Sequence, residues 1–259
     1  MKLGLGQQER QLLAYLQMRG KRTVRTDELT GPLRLTRQQE RELFRRLARG
    51  GLIARVRPGL YLVPSHLPLG GSWSPDEASA LNALMEDRGA LYQVCGPSAF
   101  SRYGFDEQVP NRTYAYNNRL SGARVIGAVR LALIKVADER LGGIEELRTA
   151  GGDKLVVSSR VRTLVDVVYD WSRFNGLPRG YDWIRGELAA GRVDAAALTS
   201  ATLRYGNVGT IRRIGALLDR EGVDERLLRK LAKALRPSTS FIPWIPTRAK
   251  RGPIDRRWG

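Results

Sequence analysis

Residues 35–63 read LTRQQERELFRRLARGGLIARVRPGLYLV, and the reading of this stretch decides the fold. Thr36 is placed to cap a helix, and Gln39 three residues later completes a capping box. Leu43, Phe44 and Leu47 then share one side at helical spacing, while Gln38, Arg41, Glu42, Arg45 and Arg49 share the other. Gly50-Gly51 stops the helix, because glycine enters the left-handed cap conformation without a Cβ clash. Beyond it, Leu52–Val56 and Leu60–Val63 are short β-prone runs around Arg57-Pro58-Gly59, a turn signal. A polar, arginine-bearing helix followed by a basic hairpin is the working end of a winged helix-turn-helix. An arginine face alone is as readily a solvated surface. The basic ribbon tip and the segments before it tilt the balance toward DNA.

Working outward, Gln7–Arg19 reads as a first helix with Leu12, Leu13 and Leu16 inward and Gly20 at its end. Thr23-Val24-Arg25 is a short extended link, and a second, short helix is expected from Thr26, broken by Gly31-Pro32. Three helices and a hairpin in this order are the winged-helix arrangement. Residues 67–74, LPLGGSWS, have the Pro and Gly content of a linker. Pro75–Asp87 reads as an amphipathic helix with Ser74 as cap and Pro75 at its first position.

Strands are expected at Tyr92–Cys95, Arg112–Tyr116, Val129–Val136 and Lys154–Val157, with short helices at Pro97–Tyr103 and Leu141–Arg148. From Ser159 the pattern turns helical: Arg160–Trp171, Tyr181–Ala190, Asp194–Tyr205, Val208–Arg220 and Asp224–Leu235. The last stretch is Pro-rich, basic and aromatic, expected to pack irregularly through Phe241, Trp244 and Trp258. The expected fold class is α+β. A winged helix-turn-helix occupies 1–66, a linker 67–74, and a C-terminal domain 75–259, with mixed strands and helices first and mainly helices after about residue 158.

The 259 residues carry a net charge of +18, unevenly spread. Residues 1–66 hold +9, residues 67–170 hold −1 and residues 171–259 hold +10. A phosphate-bearing partner is the first explanation for such an excess, because each neutralised phosphate releases counterions. Arginine supplies most of it, which suits bidentate phosphate and guanine contacts. No apolar run is long enough to cross a bilayer, and MKLGLGQQERQ lacks the apolar core of a signal peptide, so a cytoplasmic chain without a membrane partner is expected.

One cysteine and one histidine exclude internal disulfides and cannot supply the four N or S ligands of a Cys/His zinc site. His66 sits in an apparent linker, and Cys95 lies in an apolar run as a core residue. Walker A, dinucleotide and nucleophile-elbow patterns are missing. A metal nuclease core needs a carboxylate two residues before a lysine, and Leu133 and Gly152 hold that place before Lys135 and Lys154. The expectation is a non-enzyme with no catalytic residues, no metal and no cofactor.

Five segments together resemble the antitoxins of abortive-infection type IV toxin–antitoxin systems, the AbiE antitoxins. They are the helix and hairpin closing with Gly50–Val56 and Pro58–Tyr61; Gly96-Pro97-Ser98-Ala99-Phe100 running to Tyr103-Gly104-Phe105 and Pro110; Ser159–Asp166; Gly206-Asn207 leading to Arg212-Arg213-Ile214-Gly215 and Gly222; and the ending from Gly252 to Trp258. Within Ser159–Asp166 the chain is close to the family's S-x-x-R-T-L-x-D, departing at Arg160-Val161, where the family often has Pro-Glu.

The resemblance implies a transcriptional autorepressor and antitoxin. Its winged helix would bind double-stranded DNA, inverted repeats in its own promoter, and its C-terminal domain would counteract a nucleotidyltransferase-like toxin. Arg162 and Asp166 are motif positions without an implied role, and as an i, i+4 pair they are expected to stabilise their helix by about 0.2–0.5 kcal/mol.

On this reading Arg37, Gln38, Gln39, Arg41 and Glu42 lie near base edges, Arg45, Arg46 and Arg49 nearer phosphates, and Arg55 and Arg57 in the wing reach backbone or minor groove. Arg212, Arg213, Arg248, Lys250 and Arg251 are expected to add phosphate contacts. The alternatives are a winged-helix regulator unrelated to any toxin, and an enzyme that modifies nucleic acid or the toxin.

Overall fold

The computed structural model describes residues 6–66, 72–236, 240–250 and 253–259. Its elements in chain order are α1 (Gln7–Met18), β1 (Thr23–Arg25), α2 (Arg37–Arg49), β2 (Ala54–Arg57), β3 (Leu60–Leu62), α3 (Glu77–Arg88), β4 (Tyr92–Val94), α4 (Gly96–Arg102), β5 (Thr113–Asn117), β6 (Gly122–Ile126) and β7 (Val129–Lys135). A 3₁₀ turn at Asp138–Arg140 leads to β8 (Ile144–Arg148) and β9 (Lys154–Ser158). Then come α5 (Arg160–Tyr169), α6 (Trp171–Phe174), α7 (Arg179–Ala189), α8 (Ala195–Tyr205), α9 (Val208–Arg220) and α10 (Glu225–Lys233). This is a mixed α+β chain, and no helix among the described residues is long and apolar enough to cross a membrane.

The chain forms two compact units, the first from residues 1–92, 111–135 and 146–155. In it α1 and α2 close over one apolar cluster. Leu12, Leu13 and Leu16 meet Leu43, Phe44 and Leu47, with Val24, Leu29, Ile53 and Tyr61 completing it. Phe44 stacks on Tyr61 at 4.9 Å between centroids. Each such fully buried side chain contributes about 1.5–3 kcal/mol. Strand β3 is the centre of a three-stranded antiparallel sheet, with β1 on one edge and β2 on the other. Helix α3 packs on this sheet, where its Asp87 grips Arg57 on β2, and Ser74 Oγ accepts from Ala128 N in the β6–β7 turn at 2.8 Å. Strand β7 pairs antiparallel with β6 and parallel with β5. The unit that holds residues 1–66 therefore extends well past residue 66.

The second unit comprises residues 93–110, 136–145 and 156–259. Helix α5 is its centre, buried over Arg162–Val168 and packed by α4, α7, α8 and α9. Gly176 and Gly180 let the following segment lie against Val167; a Cβ at either would come within 2.6 or 2.7 Å of that side chain. Val94 on β4 pairs parallel with Val157 on β9.

Several local expectations are corrected. No helix forms from Thr26: residues 26–34 run through turns, because Asp27 and Arg34 take left-handed φ values of 73° and 52° that interrupt helical bonding. The helix expected at Leu141–Arg148 is instead strand β8. Leu141, Ile144 and Leu147 mimic a helical face, but Gly142 and Gly143, both at positive φ, break the chain, and Ile144 and Leu147 are exposed. Helix α3 starts at Glu77 under an Asp76 cap whose carboxylate accepts from Ser79 N at 2.7 Å, not at Pro75 under Ser74. Strand β6 was not expected at all. Of the expected linker, residues 67–71 lie outside the described residues.

Candidate nucleic-acid interface

Helix α2 begins as expected: Thr36 Oγ1 accepts from Gln39 N at 3.2 Å, and Gln39 Oε1 accepts from Thr36 N at 2.8 Å. This commits the Gln39 carbonyl oxygen to the cap. Leu43, Phe44 and Leu47 are buried, so the opposite side faces outward, with Gln38, Arg41, Arg45, Arg46 and Arg49 exposed and Glu42 half-buried. Arg37, Arg41, Arg45 and Arg49 follow one another every four residues. They form a ridge about 18 Å long at 1.5 Å per residue.

The ridge is neutralised in part. Arg45 is bound to Glu42 at 2.9 Å, and this hydrogen bond holds the Glu42 carboxyl below the usual carboxylate range. Arg37 lies 3.4 Å from Asp27, and Arg46 lies 3.4 Å from Glu9 on α1. Arg41 and Arg49 make no ion pair among the described residues, and neither does Arg55, which alternation along β2 turns outward between buried Ala54 and Val56.

Arg57 differs. Its Nε and Nη2 reach the Asp87 carboxylate at 2.6 and 2.5 Å, and its Nη1 donates to Pro58 O at 2.7 Å. A guanidinium held bidentately this way braces the hairpin against α3 and has no fork left for a phosphate. Arg57 is therefore a structural arginine, in contrast to the expected wing contact.

Glu40, which the sequence reading passed over, positions α2. It is buried, and its two carboxylate oxygens accept from Asp27 N at 2.6 Å and Leu29 N at 2.8 Å. One side chain thus holds the turn segment 26–30 onto α2 in the absence of a helix there. The signal was legible in hindsight: Glu40 stands three and four residues before Leu43 and Phe44, on the apolar face.

In the second unit, Arg162 and Asp166 are buried rather than on a helix surface. Arg162 Nε lies 2.9 Å from both Asp166 oxygens, its Nη1 and Nη2 donate to Gly142 O and Arg140 O, and Tyr205 stacks on its guanidinium at 4.0 Å. Arg140 Nη2 adds a contact to Asp166 at 2.8 Å. Burial pushes the Asp166 carboxyl up, against the pull of the two guanidiniums. With its donors engaged inside the fold, Arg162 is structural.

Arg212 and Arg213 are also buried, at 7% and 9% exposed, on α9. They line one cavity of about 380 Å³ together with Arg248 and Lys250. Burial holds the Arg213 guanidinium below its ordinary value. Arg251 lies outside the described residues. Trp258 is buried and Trp244 stacks on Tyr181 at 4.0 Å, as expected for the C-terminal stretch, whereas Phe241 is exposed.

No family model matches the chain, and no curated protein matches it. The crystal structure of the RV2827C protein from Mycobacterium tuberculosis is similar to it, with a TM-score of 0.58 over 98% of this chain and 91% of that one, at 16% sequence identity. At that identity the likeness is one of fold.

Proposed function

We propose that this protein is a DNA-binding autorepressor whose residues 1–66 act as a winged helix-turn-helix, and that its remaining part counteracts a nucleotidyltransferase-like toxin. The observation that carries the DNA-binding half is the outward arginine ridge of α2, with Arg41 and Arg49 unpaired among the described residues, followed directly by a hairpin presenting Arg55. In this reading α2 enters the major groove. Arg41 and Gln38 read base edges, Arg45, Arg46 and Arg49 bind phosphates, and Arg55 reaches the flanking backbone. The braced Arg57 sets the pose of the wing.

Fluorescence anisotropy on DNA from upstream of the protein's own gene, against random duplex at the same salt, tests this. Arg41→Ala is expected to cost about 1–3 kcal/mol on the upstream site and little on random DNA. Equal weakening on both makes Arg41 a phosphate contact, and no preference for the upstream DNA refutes the repressor reading.

The antitoxin half rests on the five-segment resemblance to AbiE antitoxins. Cutting the chain at residue 67 would divide the first compact unit, so the full chain is the right reagent. Co-expressed with the product of the neighbouring reading frame, the full chain should restore growth, and the Arg41→Ala, Arg49→Ala, Arg55→Ala triple variant should restore it equally. Failure of the unmodified chain to rescue growth removes this half and leaves a regulator unrelated to any toxin.

A further inference from the structure

The cavity in the second unit holds more positive charge than anything around it neutralises. Arg212, Arg213, Arg220, Arg248 and Lys250 line it, and none of the five makes an ion pair among the described residues. Among the described residues the one acidic side chain on the wall is Asp255, whose Oδ1 accepts from Arg257 N at 3.0 Å and Trp258 N at 3.2 Å.

The two arginines on α9 are the informative ones. Arg212 donates Nη1 to Ser240 O at 3.0 Å, and among the described residues Arg213 has only 3.5 Å contacts to Gly209 O and Pro243 O. The Nε atoms of both are buried without a hydrogen-bond partner among the described residues. A buried cation is normally paired, because desolvation of an unpaired one costs several kcal/mol. Two adjacent ones facing a space of about 380 Å³, within the usual range of roughly 300–1,000 Å³ for small-molecule sites, indicate an anionic ligand.

The rest of the wall narrows its chemistry. Phe241 and Ile254 line the same cavity and are 41% and 60% exposed, large apolar groups left uncovered beside the cations. A bare phosphate has no use for them, and a flat apolar ring does. The convex backbone of a duplex presents its phosphates outward and does not reach arginines that are less than a tenth exposed.

We propose that this cavity binds a free nucleotide, its phosphates held by Arg212, Arg213, Arg220, Arg248 and Lys250 and its base packed against Phe241 and Ile254. The proposal is independent of the DNA-binding reading, which concerns the other unit.

Isothermal titration of the full chain with ATP, GTP, adenosine, pyrophosphate and a single-stranded oligonucleotide tests it. A nucleoside triphosphate is expected to bind, adenosine to fail, and pyrophosphate to bind more weakly. Arg213→Gln should weaken nucleotide binding at least tenfold. The exposed Arg248→Gln and Lys250→Gln, which leave the buried pair untouched, should each weaken it severalfold with an unchanged circular dichroism spectrum, so the result stands even if Arg213→Gln misfolds. Absence of nucleotide binding at millimolar concentration overturns the proposal. So does binding undiminished in both exposed variants, or equal affinity for pyrophosphate and ATP. Tight oligonucleotide binding without free nucleotide binding would reassign the cavity to a nucleic-acid interface.

Discussion

Arg162 and Asp166 sit one helical turn apart on α5, with Arg162 Nε 2.9 Å from each Asp166 oxygen and both side chains about 1% exposed. The same i, i+4 spacing on a solvated helix contributes a few tenths of a kcal/mol. Buried, it becomes a node that ties α5 to the segment carrying Arg140 and Gly142 and to Tyr205 on α8.

Removing one partner strands the other charge. Arg162→Met and Asp166→Ala are each expected to lower unfolding free energy by about 3–5 kcal/mol in urea titrations. Losses below about 1 kcal/mol would show that water reaches the pair.

Glu40 carries a different load, since its targets are backbone N–H groups. Glu40→Ala leaves the Asp27 and Leu29 donors without an acceptor and should cost about 2–4 kcal/mol. Glu40→Gln keeps one acceptor oxygen and should fall between. Because the turn segment is held to α2 through this residue, protease cleavage within 26–34 should accelerate in Glu40→Ala. Equal cleavage rates in variant and parent would show that the segment is held by Leu29 packing alone.

The hairpin brace predicts a pH dependence. The Arg57 hydrogen bond holds the Asp87 carboxyl below the usual carboxylate range, with Arg25 and Arg88 adding to the pull. A carboxyl depressed in the folded state stabilises fully above its unfolded pKa of about 3.9 and loses that contribution as pH falls through the folded value. Asp87→Asn should therefore lower stability by about 1–2 kcal/mol at neutral pH, a figure discounted for the part-exposed Arg57. The gap from the unmodified chain should narrow as pH falls below the unfolded value and close once Asp87 is protonated in the folded chain. Thermal melts across this range check it, and a gap that persists in acid would mean that shape, not charge, makes the brace.

Gly215 is where α9 receives the C-terminal segment. A Cβ there would lie 2.1 Å from the Trp258 ring, whose indole Nε1 donates to Asp219 at 2.7 Å. Gly215→Ala should expel the ring, red-shift tryptophan emission and cost about 1–3 kcal/mol despite alanine's better helix propensity. An unshifted spectrum with raised stability would show that the segment has room to yield.

Much of the chain was legible from local rules. The capping box at Thr36 and Gln39, the inward Leu43, Phe44 and Leu47, and the helices from Arg160 onward follow from periodicity and cap chemistry, which act within a few residues. Periodicity misled at 141–148, where an i, i+3 apolar spacing belongs to an exposed strand preceded by two positive-φ glycines. The candidate site was half legible. An arginine face on α2 can be counted from spacing, and so can the i, i+3 pair of Arg45 with Glu42, but the pairing of Arg37 with Asp27 and of Arg46 with Glu9 depends on how other segments fold against the helix.

By itself, then, the sequence determined that this is an α+β chain with its positive charge at both ends and an arginine ridge on one early helix, because composition and periodicity are local quantities. Only the tertiary structure decided that Arg57 braces Asp87, that Arg162 and Asp166 are buried, that Glu40 replaces a helix with two hydrogen bonds, and that Arg212 and Arg213 line a cavity. A charged group's role is set by its desolvation and by partners brought near from distant positions, and neither is written in its own neighbourhood of the sequence.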